Sequence, residues 1–194
     1  MKILTSLALG VHQFEDPEGI SEVLDQGLID GFVDFGNIWA DMVVQAPLAL
    51  GTWGVGAWTD HPEVAATGYD LTRGLALTYA TVFPIKLAVD RTRPNGEDYS
   101  FPSGHTATAF MTAGVLTRRH GGWLGGTSLV LATLTGLGRM EDLKHYPSDV
   151  IAGAALGWVI GRTVARDDGG ARRRDDGAWR LAPAGTGVVV ARRF

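Results

Sequence analysis

Short apolar runs that are rich in alanine and glycine constrain the fold of this chain most. Three such runs, each twelve residues long, occupy 74–85, 106–117 and 150–161. Twelve residues form a helix of about 18 Å, which suits a core helix better than the roughly 20 residues that cross a bilayer. Small side chains also let neighbouring helices approach closely. The sequence therefore predicts an all-α fold, a compact bundle of about five or six helices.

Serine and proline residues predict where several of these helices begin. Ser103 suits an N-cap, whereas Pro62 and Pro147 suit a first turn, where the missing N–H has no partner to lose. Pro84 is expected to bend the helix that contains it. The predicted helices cover 37–58, 70–91, 104–119, 122–139 and 147–166.

The composition changes near residue 166. Residues 166–177 read RDDGGARRRDDG, a charged and glycine-rich stretch that is typical of a linker or solvated loop. The segment that follows has strand-forming residues on both sides of a Gly-Thr-Gly turn, which predicts a small C-terminal β-hairpin. We expect one helical domain over 1–166, with its functional motifs in 74–162, and a tail over 167–194.

Charge, cysteine content and hydropathy narrow the class of protein. A net charge of −4 and a pI near 5.7 lack the basic footprint of nucleic-acid binding, and the absence of cysteine excludes disulfides and thiol catalysis. Mean hydropathy is +0.08, and the two uncharged runs of spanning length, 42–59 and 121–138, are rich in glycine. These features favour a soluble or membrane-surface protein over one with many spans.

The N-terminal stretch 1–14 has one lysine and a short apolar run, which is a weak match to a secretory signal. The expected location is therefore periplasmic, secreted or membrane-associated. The sequence leaves the oligomeric state open.

The first candidate functional motif is KLAVDRTRP, residues 86–94. Lys86 and Arg93 are seven residues apart, so on a helix that continues to Pro94 both cations would face the same way. Taken alone, such a pair is more often a solvated surface than a binding site.

The second motif is PSGH, residues 102–105. If Ser103 caps a helix, the N–H groups of Gly104 and His105 point outward at its positive end and can hold an oxyanion. The alternative is a capped helix in which His105 is incidental.

The third motif is GRMEDLKHYPSDV, residues 138–150. With Pro147 in the first turn, Asp149 takes the third helical position and its side chain reaches back toward His145. A carboxylate there would accept a proton from one ring nitrogen and leave the other as a nucleophile. Alone, Asp149 could serve only as a helix-start acid.

Together the motifs supply what phosphoryl transfer requires. Three cations (Lys86, Arg93 and Arg139) can neutralise phosphoryl oxygens, and two histidines can act as nucleophile and acid. No acidic cluster has metal-ligand spacing, so we expect no metal. The remaining histidines are expected to be surface or capping residues: His12, His61 and His120.

Ten residues in these motifs resemble the signature of the type 2 phosphatidic acid phosphatase / vanadium haloperoxidase superfamily. That signature reads Lys, six residues, Arg-Pro; then Pro-Ser-Gly-His; then Ser-Arg, five residues, His, three residues, Asp. The resemblance covers about residues 74–162. One position departs from it, because Gly138 stands where the family has serine.

The resemblance implies a metal-independent phosphatase. His145 would attack phosphorus and form a phosphohistidine, Asp149 would orient it, and His105 would protonate the leaving oxygen. The implied phosphate-binding residues are Lys86, Arg93, Ser103, Gly104 and Arg139. No cofactor is implied, although vanadate would bind as a phosphate analogue.

Several substrates and roles are compatible with this signature. The leading hypothesis is a phosphatase for lipid phosphates or diphosphates, such as phosphatidic acid or a polyprenyl pyrophosphate, working at a membrane surface. A soluble non-specific acid phosphatase is the second, and a haloperoxidase is disfavoured by the short chain. A non-catalytic helical protein that binds phosphate or vanadate is the alternative outside enzymes, and Gly138 is the motif feature in its favour.

Overall fold

The computed structural model describes residues 18–19, 21, 30–165, 179–184 and 187–192. Within 30–165 the chain forms six α-helices, and two strands follow. The elements are α1 Asp30–Trp39, α2 Met42–Trp58, α3 Pro62–Val89, α4 Gly104–His120, α5 Gly122–Glu141, α6 Pro147–Val164, β1 Trp179–Ala184 and β2 Gly187–Arg192. The predicted all-α fold is confirmed.

Three helix starts lie where the sequence predicts them. Ser103 caps α4, and its hydroxyl accepts the Thr106 N–H. Pro147 opens α6, and the Asp149 carboxylate at its third position accepts the Tyr146 N–H at 2.9 Å. Pro62 opens α3. These local signals are strong because each satisfies or removes an N–H that a helix start would otherwise leave unpaired.

Two predicted helices have different bounds in the structure. The predicted helix 37–58 is two helices, because Asp41 accepts the Val43 N–H at 2.9 Å and caps a new one. The predicted helix 70–91 starts earlier, at Pro62, and runs through Pro84 to Val89. It ends where Asp90 adopts a left-handed conformation with φ 45°. Arg93 therefore lies beyond the helix, so the expectation of a two-turn helical spacing from Lys86 was wrong.

Helix α4 is the centre of the bundle and contacts α3, α5 and α6. Helix α6 runs parallel to α4 at very close range. A Cβ added at Gly153, Gly157 or Gly161 would overlap the backbone oxygens of Ser103, Ala107 and Met111, in that order. Glycine at every fourth residue of α6 thus brings the two backbones together, and both helix N-termini come to one end of the bundle.

Small side chains also make up much of the core. One buried cluster joins Leu71, Leu75, Met111 and Val115, and a second consists of alanines from α4, α5 and the α1–α2 junction. None of the helices described is both long and apolar enough to cross a membrane. Helices α2 and α5, which carry most of the two uncharged runs, have 17 and 20 residues.

The C-terminal strands β1 and β2 pair antiparallel, with Trp179 opposite Arg192 and Ala184 opposite Gly187. The predicted linker at 166–177, the leader-like residues 1–14 and His12 lie outside the described residues. The division into a domain over 1–166 and a tail over 167–194 stays a prediction.

Candidate active site

Helix ends from four elements supply the predicted site residues. His105 and Asp149 lie in the first turns of α4 and α6, whereas Lys86 and Arg139 lie in the last turns of α3 and α5. The Ser103 N–H donates to the Asp149 carbonyl at 3.0 Å, which joins the two helix starts directly. Paired N-termini direct free N–H groups and positive helix dipoles to one place, where an anion is favoured.

His145 lies just before α6 and is only 2% exposed. Burial lowers the pKa of this imidazole to about 4; Asp149 opposes the shift, and the charges of Lys86 and Arg139 add to it. The ring is therefore neutral at physiological pH, as a nucleophile must be.

The Asp149 carboxylate lies beside the His145 ring, as the third motif predicts. The distance from His145 Nδ1 to Asp149 Oδ2 is 3.8 Å, which is longer than a hydrogen bond, and Nδ1 has no other partner among the described residues. Catalytic hydrogen bonds that are long without substrate often tighten once substrate binds. Nδ1 faces the carboxylate, so Nε2 is the nitrogen left for chemistry.

His105 is partly exposed, and its Nε2 lies 3.8 Å from Asp41 Oδ2 at the start of α2. Burial and the charge of Arg139 lower the pKa of His105, while the Asp41 carboxylate opposes them. A histidine with a lowered pKa releases its proton readily, which suits a group that must give up a proton and then take one back.

Lys86 lies between the first motif and the loop that leads to α4. Its ammonium donates to the Tyr99 carbonyl at 2.5 Å, and a Cβ added at Gly104 would lie 3.9 Å from Lys86 Cε. Burial lowers the pKa of Lys86 to about 8, and repulsion from Arg93 and Arg139 contributes, against the attraction of Asp149. The lysine thus stays mostly protonated at neutral pH.

The guanidinium groups of Arg93 and Arg139 each contact an acidic side chain through Nη1, whereas the buried Nε–H of each is unpaired among the described residues. Arg93 Nη1 lies 2.6 Å from Glu97 Oε2, and Arg139 Nη1 lies 3.2 Å from Asp142 Oδ2. The Nε–H of each guanidinium has no acceptor among the described residues. A buried unpaired donor is costly, so each Nε–H is available to an oxyanion.

Mutual electrostatic influence shows that these groups share one region. Arg139 acts on Lys86, His105 and His145, and Arg93 acts on Lys86, His105 and Arg139. The structure therefore brings together the predicted cations and both predicted histidines. Their catalytic and binding roles remain predictions.

Two motif residues, Ser103 and Gly138, are buried beside or within the helices that form the site. Ser103 is fully buried, and its hydroxyl pairs with the Thr106 hydroxyl at 2.9 Å, so in this state it serves the helix cap. Gly138 is buried in α5, one residue before Arg139. The described residues contain no group of three or more His, Asp or Glu side chains that could hold a metal ion.

The other histidines lie apart from these motifs. His61 occupies the N-cap of α3, but its ring bonds Thr59 at 2.8 Å and does not cap the helix. His120, in the last turn of α4, pairs with the Thr67 hydroxyl at 2.9 Å.

Three further residues touch the site, and sequence patterns did not identify them as site residues. Arg91 binds the Asp149 carboxylate at 2.7 Å, Ser100 binds it at 2.5 Å, and Asp41 faces His105. Arg91 and Ser100 lie 58 and 49 residues from Asp149, so no local spacing reveals them. Asp41 did carry a readable signal, because Asp before an apolar run is an N-cap pattern.

The fold is an α-helical bundle, and paired helix starts, three cations and two histidines come together at one end of it. The chain belongs to the PAP2 superfamily, whose family model matches residues 68–172.

Similar proteins support this assignment. The chain is 38% identical over 92 residues to lipid A 1-phosphatase of Porphyromonas gingivalis, covering 45% of this chain and 21% of that protein. It is 28% identical over 129 residues to undecaprenyl-diphosphatase BcrC of Bacillus subtilis, covering 62% and 65%. The chain thus spans less than two thirds of the length of either relative.

A solved structure shares the fold. The crystal structure of Aquifex aeolicus LpxE superposes with a TM-score of 0.62 at 24% identity, covering 76% of this chain and 91% of that one.

Proposed function

We propose that this protein is a metal-independent phosphatase that hydrolyses lipid-linked phosphomonoesters or diphosphates through a phosphohistidine intermediate. One observation carries the proposal: a buried neutral histidine, His145, lies beside a carboxylate and close to Lys86 and Arg139, at the end of the bundle where α4 and α6 begin. Family membership and the names of the two relatives support the same reaction class.

In the first step, Nε2 of His145 attacks phosphorus in line with the leaving oxygen. The N–P bond forms as the P–O bond breaks, and His105 gives its proton to the departing oxygen. Asp149 accepts the Nδ1 proton of His145 in a hydrogen bond and stabilises the positive charge that the ring acquires.

In the second step, water attacks the phosphohistidine. His105, now neutral, takes a proton from the water as the new P–O bond forms and the N–P bond breaks. Phosphate leaves, and His145 returns to its neutral form. Throughout, Lys86, Arg93 and Arg139 neutralise the phosphoryl oxygens, together with the backbone N–H groups at the start of α4.

Exposed apolar side chains near the site favour a lipid-linked substrate. Phe83 and Leu87 flank Lys86 on α3 and are 61% and 51% exposed. Met42 and Val43 follow Asp41 and are 50% and 81% exposed. Large exposed apolar residues near a polar site are typical of contact with lipid, so we place this end at a membrane surface.

A phosphate-release screen tests the proposal. Phosphatidic acid, a polyprenyl diphosphate and a water-soluble chromogenic phosphomonoester are offered with and without vanadate, using wild type and His145→Ala. We expect release from a lipid substrate, inhibition by vanadate, and loss of release in the variant. Release from the soluble ester alone would favour the acid phosphatase, whereas vanadate binding without any hydrolysis would favour the non-catalytic role.

A further inference from the structure

The Asp149 carboxylate accepts three hydrogen bonds from groups other than His145, which is more than it needs to orient one histidine. It is fully buried, and both of its oxygens are occupied. Oδ1 accepts from Arg91 Nη1 at 2.7 Å, and Oδ2 accepts from the Ser100 hydroxyl at 2.5 Å and from the Tyr146 N–H at 2.9 Å. The Tyr146 bond comes from the helix start itself, but Arg91 and Ser100 lie in the loop that joins α3 to α4.

Arg91 is in turn fixed by the first turn of α6. The same Nη1 donates to the Ser148 hydroxyl at 2.8 Å, and the guanidinium carbon lies 3.9 Å from the centre of the Tyr146 ring. A planar guanidinium that stacks on a ring while bonding a carboxylate has little freedom to turn. The Arg91 side chain therefore fixes the direction in which Asp149 points.

Ser100 is tied to the same loop. Its N–H donates to the Arg91 carbonyl at 2.7 Å, and its side chain is fully buried. The Ser100 hydroxyl and the Tyr146 N–H converge on Oδ2, the carboxylate oxygen that lies 3.8 Å from His145 Nδ1. These two donors fix the position of the oxygen that His145 Nδ1 faces.

We propose that Arg91 and Ser100 are positioning residues that hold the Asp149 carboxylate against Nδ1 of His145, so that Nε2 stays the nitrogen free to attack phosphorus. This inference rests on the proposed function and assigns to it two residues that the family signature does not specify. Neither is a catalytic residue, because each acts through Asp149. The loop 90–103 thereby sets the tautomer of a histidine more than forty residues away.

The test compares Arg91→Met, Arg91→Lys and Ser100→Ala with a matched control, Arg73→Met. Arg73 binds another buried carboxylate, Asp70, also at 2.7 Å, far from the site. We expect kcat for the preferred lipid phosphate to fall about 100-fold in Arg91→Met and about tenfold in Ser100→Ala, with KM within about twofold. These losses are smaller than the roughly 10⁴-fold cost of removing an orienting carboxylate's charge. Arg91→Lys is expected to recover part of the loss.

The control is expected to lower the melting temperature and leave kcat unchanged. If kcat in Arg91→Met and Ser100→Ala stays within twofold of wild type, or falls no more than in Arg73→Met, the positioning role is wrong. If Arg91→Met does not fold, Ser100→Ala decides the matter by the same criterion.

A second measurement separates this inference from the proposed function. Imidazole ¹⁵N shifts report which nitrogen of His145 carries the proton, whether or not the protein is active. We expect the Nδ1–H form in wild type and a mixture of tautomers in Ser100→Ala and Arg91→Met. If wild type releases no phosphate but the two variants show this change of tautomer relative to it, the proposed function is wrong and the positioning role stands. An unchanged tautomer in both variants refutes the positioning role.

Discussion

Two buried carboxylates, Asp149 and Asp70, lie toward opposite ends of the bundle, and each is held by arginine. Asp70 is paired with Arg73 at 2.7 Å and with Arg119 at 2.5 Å. Asp149 is paired with Arg91 at 2.7 Å. Residues 105 and 119 of α4 mark the two ends, which are about 20 Å apart at 1.5 Å per residue.

The difference between the ends lies in what surrounds each ion pair. At the Asp70 end, Arg73 also donates to the Val164 carbonyl at the last residue of α6, a place where a cation is favourable. At the Asp149 end, Lys86, Arg93 and Arg139 repel one another, and the carboxylate faces an imidazole whose Nδ1 has no hydrogen-bond partner within the described part of the chain. The pairing is thus similar at the two ends, and we propose that it serves stability at the Asp70 end and phosphate chemistry at the Asp149 end.

The largest expected effect is the loss of the nucleophile. His145→Ala should lower kcat by about 10⁴-fold or more, because the imidazole proposed to form the N–P bond is lost. Phosphate release under saturating substrate measures this, and circular dichroism confirms that the variant is folded. Activity within tenfold of wild type would remove the functional distinction between the two ends.

Replacing each of the two aspartates with asparagine compares the two ends of the bundle directly. Asp70→Asn leaves two arginines facing a neutral side chain and should cost about 3 kcal/mol of unfolding free energy with kcat unchanged. Asp149→Asn should lower kcat by about 10³-fold or more, because the ring of His145 loses its orienting charge. Denaturant unfolding and steady-state kinetics measure the two effects. Equal losses of kcat would show that both pairs act only through stability.

The optimum of kcat/KM should lie at acidic pH. His145 must be neutral, so activity is expected to fall as the pH drops below about 4. His105 must be protonated, and its lowered pKa places the alkaline limb below pH 6.5. An optimum above pH 7 in an initial-rate profile would contradict these roles.

The free energy of unfolding should also depend on pH. The pKa values of His145 and His105 are lowered in the folded protein, to about 4 for His145, so the unfolded chain binds protons at a higher pH than the folded protein does. The free energy of unfolding should therefore decline as the pH falls below about 6.5. Asp149, whose pKa is lowered because its hydrogen bonds and Arg91 outweigh burial, adds stability that is lost at still lower pH. Denaturant unfolding across this range measures the decline.

The smallest expected effect concerns Asp41. Asn at this position can still cap α2 but no longer supports the charge on His105, so the alkaline limb should move about half a pH unit toward acid. Asp60→Asn, at the far end of α2, serves as the control and should leave the limb in place. A limb that does not move in Asp41→Asn would exclude this contact from the acid–base chemistry.

Sequence patterns predicted the helix starts at Ser103, Pro62 and Pro147 because each start depends on a few neighbouring residues. The predicted end of α3 was wrong, because the residues Arg-Thr-Arg-Pro give no signal for the left-handed conformation that Asp90 adopts. The motif residues were found because chemistry requires their types at fixed local spacings. Arg91 and Ser100 were missed because their role depends on contacts that the fold makes across about 50 residues.

The central claim is that His145 carries the phosphoryl group. Rapid quenching of wild type with substrate labelled in the transferred phosphate should trap acid-labile, base-stable label on residue 145. No label should be trapped in His145→Ala. A label that persists in that variant, or that maps to another residue in wild type, would contradict a phosphohistidine at residue 145.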